Sequence, residues 1–373
     1  MSVSRILLDG GVLEGGGQLL RNAVALSVLL SKPIAVNNIR ENRKPPGLRP
    51  QHAAGLRLAA QLCSGQLTGG EPKSKSMKFT PGPINLSQTY LADPGTAGST
   101  TLLLQVALPC LLFAPFDSRS PTELILRGGT NATQAPQIDY AQHVLLPFLH
   151  KHFGINAALD IHKRGYYPRG GGEVRVSVPS FVGPLRPLTL TERGVVTSIH
   201  GRARAVQKAA HSRLVASGIE PDIINIDAVR ERNEDVVGAG SGVVLWAETD
   251  KGCRIAGSTI GAKGKDSSTV GEQAADELIR NLNEAGCVDE YLQDQLIIFL
   301  ALAAGKSVIR IGPSTLHTRT AIWVAEQLTD AKFHVEEQED GSTLLYCDGI
   351  CYTSAKAAEA VSSIQEHTSQ DST

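Results

Sequence analysis

The sequence lacks the features that mark several large classes of protein. Aromatic residues make up only 5% of its 373 residues, and the formal net charge is −1. Its longest apolar stretches stop short of the roughly 18 residues that a membrane helix needs, so we expect no membrane span. The balanced charge argues neither for nor against a nucleic-acid partner, but the chain is far from the basic composition of dedicated duplex binders, so any nucleic-acid contact must be local. The first residues do not have the pattern of a secretory signal.

The cysteines also lack a pattern. Six of them are scattered along the chain, with no C-x-x-C pair and no histidine at zinc-binding spacing. We interpret them as reduced and mostly structural residues. The default location is then the cytosol or the nucleus.

The order of the predicted elements recurs three times along the chain. Each unit has an apolar helix, a β-branched strand, a polar loop and a second helix. The first helices span residues 17–30, 102–113 and 292–304, the strands 34–39, 123–127 and 307–311, and the second helices 52–63, 138–152 and 318–328. The sequence therefore predicts an α/β fold in which three pseudo-symmetric βα repeats form one large domain.

Residues 185–286 break this order. They contain predicted strands at 195–202, 223–228, 242–248 and 254–258 and predicted helices at 208–217 and 270–285. Extra domains are commonly inserted at loops. We therefore predict a small α/β domain inserted before the third repeat. Residues 1–184 and 287–365 then form the large domain, and residues 366–373 form a flexible tail.

Loops that follow equivalent strands of such repeats converge on one face, so their polar residues can share a site. The first loop, residues 40–52, is rich in arginine and proline; guanidinium groups suit phosphate, although most charged loops are simply solvated. The second, residues 127–137, suits either a nucleotide or a helix cap. The third places His317 at a predicted helix N-terminus, where the helix dipole favours a neutral, nucleophilic ring. A capping or surface histidine is the alternative.

Two further patterns suggest a site. Glu14 precedes three glycines, and Arg21 follows about one turn into the next helix, which suits a phosphate with a divalent ion but matches no P-loop spacing. Tyr291, Asp294 and Gln295 are spaced i, i+3, i+4 and therefore share one helix face. A cap at the start of a helix explains Tyr291 and Gln295 equally well.

Several motifs taken together are more specific than any one of them. They are EGGGQ at 14–18 followed by Arg21, KPPGLRPQH at 44–52, RGYYP at 164–168 with the glycines after it, DEYLQDQ at 289–295 and LHTRTAI at 316–322. In these segments, and over nearly its whole length, the chain resembles the RNA 3′-terminal phosphate cyclases. The resemblance implies a fold of three repeats with a small inserted domain. It also implies the ATP-dependent conversion of an RNA 3′-phosphate to a 2′,3′-cyclic phosphate.

The resemblance implies a role for each matching residue. His317 is expected to attack the α-phosphorus of ATP and to carry AMP before passing it to the RNA 3′-phosphate, because imidazole is both a nucleophile and a good leaving group. Glu14 is expected to bind a divalent metal, Mg or Mn. Residues expected around the nucleotide are Gln105, Pro136, Tyr291, Asp294 and Gln295, and those expected at the triphosphate or the RNA end are Arg21, Arg40, Arg43 and Gln51.

The expected partners are RNA 3′-phosphate ends, with no membrane and with no prediction of oligomeric state. The family implies a nuclear location, with the cytoplasm as a second one. Residues 202–209 are shorter than the stretch expected in the family, so no part in gripping RNA is predicted for the inserted domain. Two alternatives stay open: a non-catalytic cyclase-like scaffold in ribosome assembly, which His317 argues against, and an enolpyruvyl transferase built from related repeats.

Overall fold

The structure is a computed structural model, and it describes residues 4–84, 89–114, 121–203 and 206–353. It is a mixed α/β structure, which confirms the predicted fold class. In these ranges no helix has both the length and the apolar character needed to cross a membrane. The predicted tail, residues 354–365 of the predicted large domain, and residues 204–205 of the short stretch lie outside the described residues.

The secondary structure alternates helices and strands along most of the chain. The helices are α1 (Gly17–Leu30), α2 (Pro50–Leu62), α3 (Thr100–Leu112), α4 (Ile138–Tyr140), α5 (Leu146–Phe153), α6 (Gln207–Ala216), α7 (Ser267–Asn283), α8 (Glu290–Leu302) and α9 (Leu316–Leu328), with a π-helical turn (Ala141–Leu145) between α4 and α5. The strands are β1 (Ile6–Asp9), β2 (Ile34–Asn37), β3 (Gln66–Thr68), β4 (Met77–Thr80), β5 (Thr89–Ala92), β6 (Thr122–Gly128), β7 (Ala158–Gly165), β8 (Gly172–Val178), β9 (Thr189–Leu190), β10 (Val196–Ala203), β11 (Ile224–Ala228), β12 (Val236–Val237), β13 (Gly242–Thr249), β14 (Arg254–Ile260), β15 (Ala304–Ile311), β16 (Lys332–Glu337) and β17 (Thr343–Ile350).

Within the described residues, three sheets share one strand order. They run β1-β2-β4-β3, β5-β6-β8-β7 with β12 beside β7, and β9-β15-β17-β16. In each sheet the first pair is parallel and the next two pairs are antiparallel. Parallel neighbours require a crossover connection, and α1 and α3 supply it in the first two sheets.

Residues 196–283, called the insertion below, lie in sequence between two strands of the third of these sheets. Its first strand, β9, precedes the insertion and pairs with β15, which follows it. Leu185 and Leu188, just before β9, are buried in the core of the large body. The residues of the insertion therefore lie, in sequence, between two paired strands of the third sheet. A strand of two residues has no periodicity by which a sequence pattern could reveal it.

Apolar helices form the centre of the large body. Helix α3 packs against α1 and α8, and α1 also packs against α2 and α9. The sequences of α1 and α3 are apolar nearly all round, as expected for helices with protein on every side, and Leu26, Leu104 and Leu300 are fully buried. This packing fixes the starts of α1, α8 and α9, where most of the predicted site residues lie.

The insertion has a core of its own. Its sheet runs β11-β10-β13-β14, with α7 packed on β13, β14 and α6. Ile199, Leu245 and Leu278 are fully buried in a hydrophobic cluster separate from that of the large body. Its strands coincide with the predicted ones to within a few residues, because each is a β-branched run bounded by turn residues.

Candidate active site

The N-terminus of α9 presents His317, whose side chain is exposed. Thr315 caps this helix, and its Oγ1 accepts the Thr318 N–H at 3.1 Å. Gln293 of α8 holds the same turn, because its Oε1 accepts from the Thr315 N–H at 3.3 Å and from the Thr318 hydroxyl at 2.8 Å. The turn that carries the histidine is therefore fastened to α8. Sequence reasoning did not assign a role to Gln293; the available signal was its place among the polar residues in the first turns of α8, next to Asp294.

The surroundings of His317 favour its neutral form. Partial burial lowers the pKa of His317 below its ordinary value, the Glu14 carboxylate opposes this shift, and Arg21 and Arg43 add to it. With its pKa lowered, the imidazole of His317 is unprotonated at neutral pH, and one ring nitrogen then has a lone pair free to act as a nucleophile. The structure thus brings His317 together with predicted site residues from two other parts of the chain.

Glu14 connects the glycine turn to Arg43 and to α9. Its Oε1 lies 2.9 Å from Arg43 Nη2, which also donates to the Glu14 carbonyl oxygen at 2.9 Å. The Glu14 N–H donates to the hydroxyl of Thr320, one turn after His317, at 3.2 Å. The Glu14 side chain is 9% exposed, and its buried Oε2 has no partner among the described residues. That oxygen is an acceptor left over for a cation.

Arg21 is a half-buried cation on α1. Its Nη2 donates to Gln18 Oε1, whereas its buried Nε has no partner in the described part of the chain. Burial lowers the pKa of Arg21, and the carboxylates of Asp294 and Glu14 oppose that effect. Since arginine stays charged at physiological pH, the site contains a fixed cation with an unused donor.

Gly17 lets α1 start in close contact with two of these side chains. A Cβ at this position would lie 2.6 Å from His52 Nε2 and 2.8 Å from Arg21 Nη1. His52 was not among the predicted site residues, although it directly follows Gln51. Its Nδ1 accepts the Arg49 N–H at 3.2 Å. Burial, followed by the charges of Arg21 and its neighbours, lowers the pKa of His52 to about 3. It is therefore a neutral, buried polar ring among arginines.

The His52→Gln variant tests this burial through the pH dependence of stability. The unfolded imidazole binds a proton near pH ~6.5, whereas the folded one, with its pKa of about 3, does not. We therefore expect the free energy of unfolding of the wild type to fall relative to that of the variant as pH falls from about 7 to 4, by at most about 1.4 kcal/mol per pH unit. Urea unfolding across this range measures the difference, and parallel curves for the two proteins would contradict it.

The loop before α2 gathers arginines on the same side as Glu14. Burial lowers the pKa of Arg40, with further lowering by the charges of Arg49 and Arg43, and its buried Nε has no partner among the described residues. Like charges held close together without enough acceptors are typical of a site for an anion. Gln51 lines a pocket with Arg21, and its Oε1 accepts the Ser99 N–H at 3.1 Å, which ties the loop to the start of α3.

Helix α8 contributes Tyr291, Asp294 and Gln295. Burial raises the pKa of Asp294 to about 7, and Arg21 opposes this rise. Tyr291 packs edge to face against Tyr140, with ring centroids 5.9 Å apart. Gln295 Nε2 donates to the Tyr291 carbonyl oxygen at 2.6 Å. Asp294 therefore lies within the electrostatic influence of Arg21, whereas Tyr291 packs against Tyr140 of α4.

Gln105 and Gln295 line one pocket together with Gln18, and the hydrogen bond between Gln18 and Arg21 links this pocket to the arginine. Pro136 is buried, and its carbonyl oxygen accepts the Thr101 hydroxyl at 2.8 Å. It lies on the turn that leads into α4 and Tyr140. None of the hydrogen bonds among the described residues connects Gln105 or Pro136 directly to His317. Gln105 and Pro136 thus take no part in the hydrogen bonds that join Glu14, Arg43 and Thr320.

The residues present fit a metal only in combination with phosphate. Among the described residues, no three acidic, histidine or cysteine side chains are grouped as metal ligands. Magnesium bound to a nucleotide commonly uses one or two carboxylates together with phosphate oxygens and water. Glu14, with an unpartnered Oε2, supplies one such ligand.

Comparison with known proteins identifies the family. Residues 12–335 match the family model described as RNA 3′-terminal phosphate cyclase. The chain belongs to this family. It is 39% identical over 364 residues to a probable RNA 3′-terminal phosphate cyclase of Dictyostelium discoideum, covering 92% of this chain and 83% of that protein. The chain is also similar to two proteins named RNA 3′-terminal phosphate cyclase. It is 38% identical to the one from Drosophila melanogaster, covering 92% of this chain and 96% of that protein. It is 37% identical to the one from Pyrobaculum aerophilum, covering 93% of this chain and 99% of that protein.

Proposed function

We propose that the protein uses ATP to convert a terminal RNA 3′-phosphate to a 2′,3′-cyclic phosphate through an AMP adduct on His317. The observation that carries this proposal is the position of a neutral, exposed histidine beside Glu14, Arg21 and Arg43. A neutral nucleophile surrounded by cations suits attack on a polyphosphate, because the cations stabilise the charge that develops on the phosphate oxygens. Membership of the cyclase family and the names of the relatives support the same reaction.

The first step forms the protein adduct. The lone pair of His317 attacks the α-phosphorus of ATP, so a P–N bond forms as the P–O bond to pyrophosphate breaks. Arg21 and the arginines of the loop, Arg40 and Arg43, take up the charge on the phosphates. The hydrogen bonds of Gln293 keep the turn that carries the histidine in place during the attack.

Two further transfers complete the reaction. An oxygen of the RNA 3′-phosphate attacks the AMP phosphorus, a P–O bond forms, and the P–N bond breaks to return neutral His317. The 2′-hydroxyl then attacks the 3′-phosphorus and loses its proton to solvent, while AMP leaves. Each step exchanges one bond at phosphorus and is favoured by in-line positioning of its two groups.

The remaining predicted site residues suit the adenosine part of ATP. Tyr291 provides an aromatic face for adenine, and Asp294 provides a carboxyl group for the ribose hydroxyls. Gln105, Gln295 and Pro136 complete this side of the site. Asp294, with a pKa near neutrality, can exchange a hydrogen bond with a ribose hydroxyl in either direction.

Glu14→Gln tests the proposed metal ligand. A divalent metal held by Glu14 and the phosphates would neutralise phosphate charge. Glutamine keeps the shape but loses the charge, so we expect the magnesium concentration for half-maximal AMP transfer to rise about tenfold or more. Glu71→Gln is the matched control, because Glu71 is an exposed glutamate whose ion pair to Arg57, at 3.8 Å, is also exposed. Identical magnesium titrations for the wild type and Glu14→Gln would contradict the role.

The activity itself is tested with a short RNA that carries a labelled 3′-phosphate. We expect ATP and magnesium to convert this end to a form that resists a phosphomonoesterase and becomes sensitive again after acid opens the ring. In a reaction without ATP, the RNA 3′-phosphate should stay sensitive to the phosphomonoesterase throughout. A protein that binds ATP and RNA yet leaves the end sensitive would overturn the proposal in favour of a non-catalytic scaffold.

A further inference from the structure

The inserted domain is attached to the large body directly after Pro136. Gln137 is 1% exposed, and its Nε2 donates to the carbonyl oxygens of Val243 in β13 at 2.9 Å and Thr259 in β14 at 3.3 Å. Its Oε1 accepts from Asn131 Nδ2 at 2.6 Å. The side-chain amide is thus fully used to hold the turn of Pro136 against two neighbouring strands of the insertion.

A second attachment lies two residues before Tyr291. Asp289 is 2% exposed and caps α8, with its Oδ1 accepting the Tyr291 N–H at 3.0 Å and the Leu292 N–H at 2.9 Å. The same Oδ1 accepts the Tyr140 hydroxyl at 2.6 Å, and Oδ2 accepts the Ala256 N–H of β14 at 2.8 Å. One carboxylate therefore joins α8, α4 and the insertion.

We propose that Asp289 and Gln137 are positioning residues through which β13 and β14 of the inserted domain hold the adenosine side of the site. This inference rests on the function proposed above, which places Tyr291 and Pro136 at the nucleotide. Pro136 lies one position from Gln137 and Tyr291 lies two positions from Asp289, and both Gln137 and Asp289 are buried side chains bonded to the insertion. Displacing the insertion would remove the two carbonyl oxygens that accept from Gln137 and the Ala256 N–H that donates to Asp289. Both the turn that carries Pro136 and the start of α8 would then be held less firmly.

Such a link makes binding reciprocal. If docking of the insertion orders the adenosine side, then ATP must stabilise the docked insertion by the same free energy. Asp289→Asn separates this link from helix capping, because asparagine is also a good cap. Its oxygen can keep the bonds made by Oδ1, but its NH₂ group then faces the Ala256 N–H, and two donors cannot bond.

The first test measures ATP binding by calorimetry in the presence of magnesium. We expect the Kd of Asp289→Asn for ATP to be about tenfold higher than that of the wild type, the usual effect of losing one hydrogen bond to a charged group. Asp266→Asn is the matched control, since Asp266 caps α7 inside the insertion by accepting the Ser268 N–H at 2.9 Å. Its Kd should equal that of the wild type.

The second test is a readout that a purely structural cap does not change. ATP is expected to slow amide hydrogen exchange in β14, at Ala256 and its neighbours, in the wild type and in Asp266→Asn. Asp289→Asn should lose this ATP-dependent protection. Gln137→Met, which removes both donors at similar volume, should raise the Kd and lose the protection in the same way.

The outcomes distinguish this inference from the proposed function. A wild type that does not bind ATP overturns the proposed function and this inference with it. A wild type that binds ATP, with Asp289→Asn binding equally well or keeping β14 protected, overturns the inference alone. If Asp289→Asn does not fold, Gln137→Met decides on the same two measurements.

Discussion

Replacing His317 by alanine is expected to abolish the transfer of AMP from ATP to the protein. We expect the rate to fall by roughly 10³-fold or more, because a site without its covalent nucleophile keeps only binding and charge stabilisation. The fold should survive, since the ring is exposed and the turn is held by Thr315 and Gln293 instead. Intact mass after incubation with ATP and magnesium measures the result: the wild type gains one AMP and the variant gains none.

His334→Ala is the matched control for this experiment. His334 is an exposed histidine on β16, so its loss should leave the mass gain unchanged. A His317→Ala protein that still gains AMP would show that another residue is the nucleophile. A wild type that binds ATP but gains no mass would favour the scaffold alternative, and association with ribosome precursors would become the next measurement.

The second large effect is expected from Arg164→Met, which should lower the free energy of unfolding. Arg164 binds both carboxylate oxygens of Asp139, at 2.6 and 2.7 Å, and its Nε lies 2.5 Å from Glu231 Oε1. The side chains of Arg164 and Asp139 are each 7% exposed. Burial works against ionisation of Asp139, yet the hydrogen bonds from Arg164 keep the pKa of that carboxyl below its ordinary value. Methionine would leave the buried carboxylate without its two hydrogen bonds and, among the described residues, with only the longer contact of Arg202 Nε, 3.8 Å away, at a cost of about 3–5 kcal/mol.

Urea unfolding of two further variants identifies the cause. Arg232→Met removes an exposed arginine that pairs with Asp235 at 2.7 Å, and it should leave the unfolding midpoint nearly unchanged. Adding Asp139→Leu to Arg164→Met should recover part of the lost stability, because the unpaired charge is then gone. A midpoint for Arg164→Met equal to that of the wild type would contradict the argument.

Sequence patterns were sufficient where the signal is local. Helices such as α1 and α9 were predicted to within about two residues, because their apolar spacing and their flanking turn residues both lie within the helix and its ends. The strands of the insertion were found for the same reason. The strand β9 was missed, since its partner β15 lies more than a hundred residues later and two residues show no alternation.

The sequence by itself determined the mixed α/β class, the family and the residue types available for phosphate chemistry. All of these depend on composition, on local periodicity or on short motifs. The tertiary structure alone decided that Glu14, Arg43 and Thr320 meet beside His317, and that His52 is buried and neutral. It also decided that Asp289 joins the insertion to α8. Burial and contact between distant segments depend on how the whole chain packs, and no local pattern contains that information.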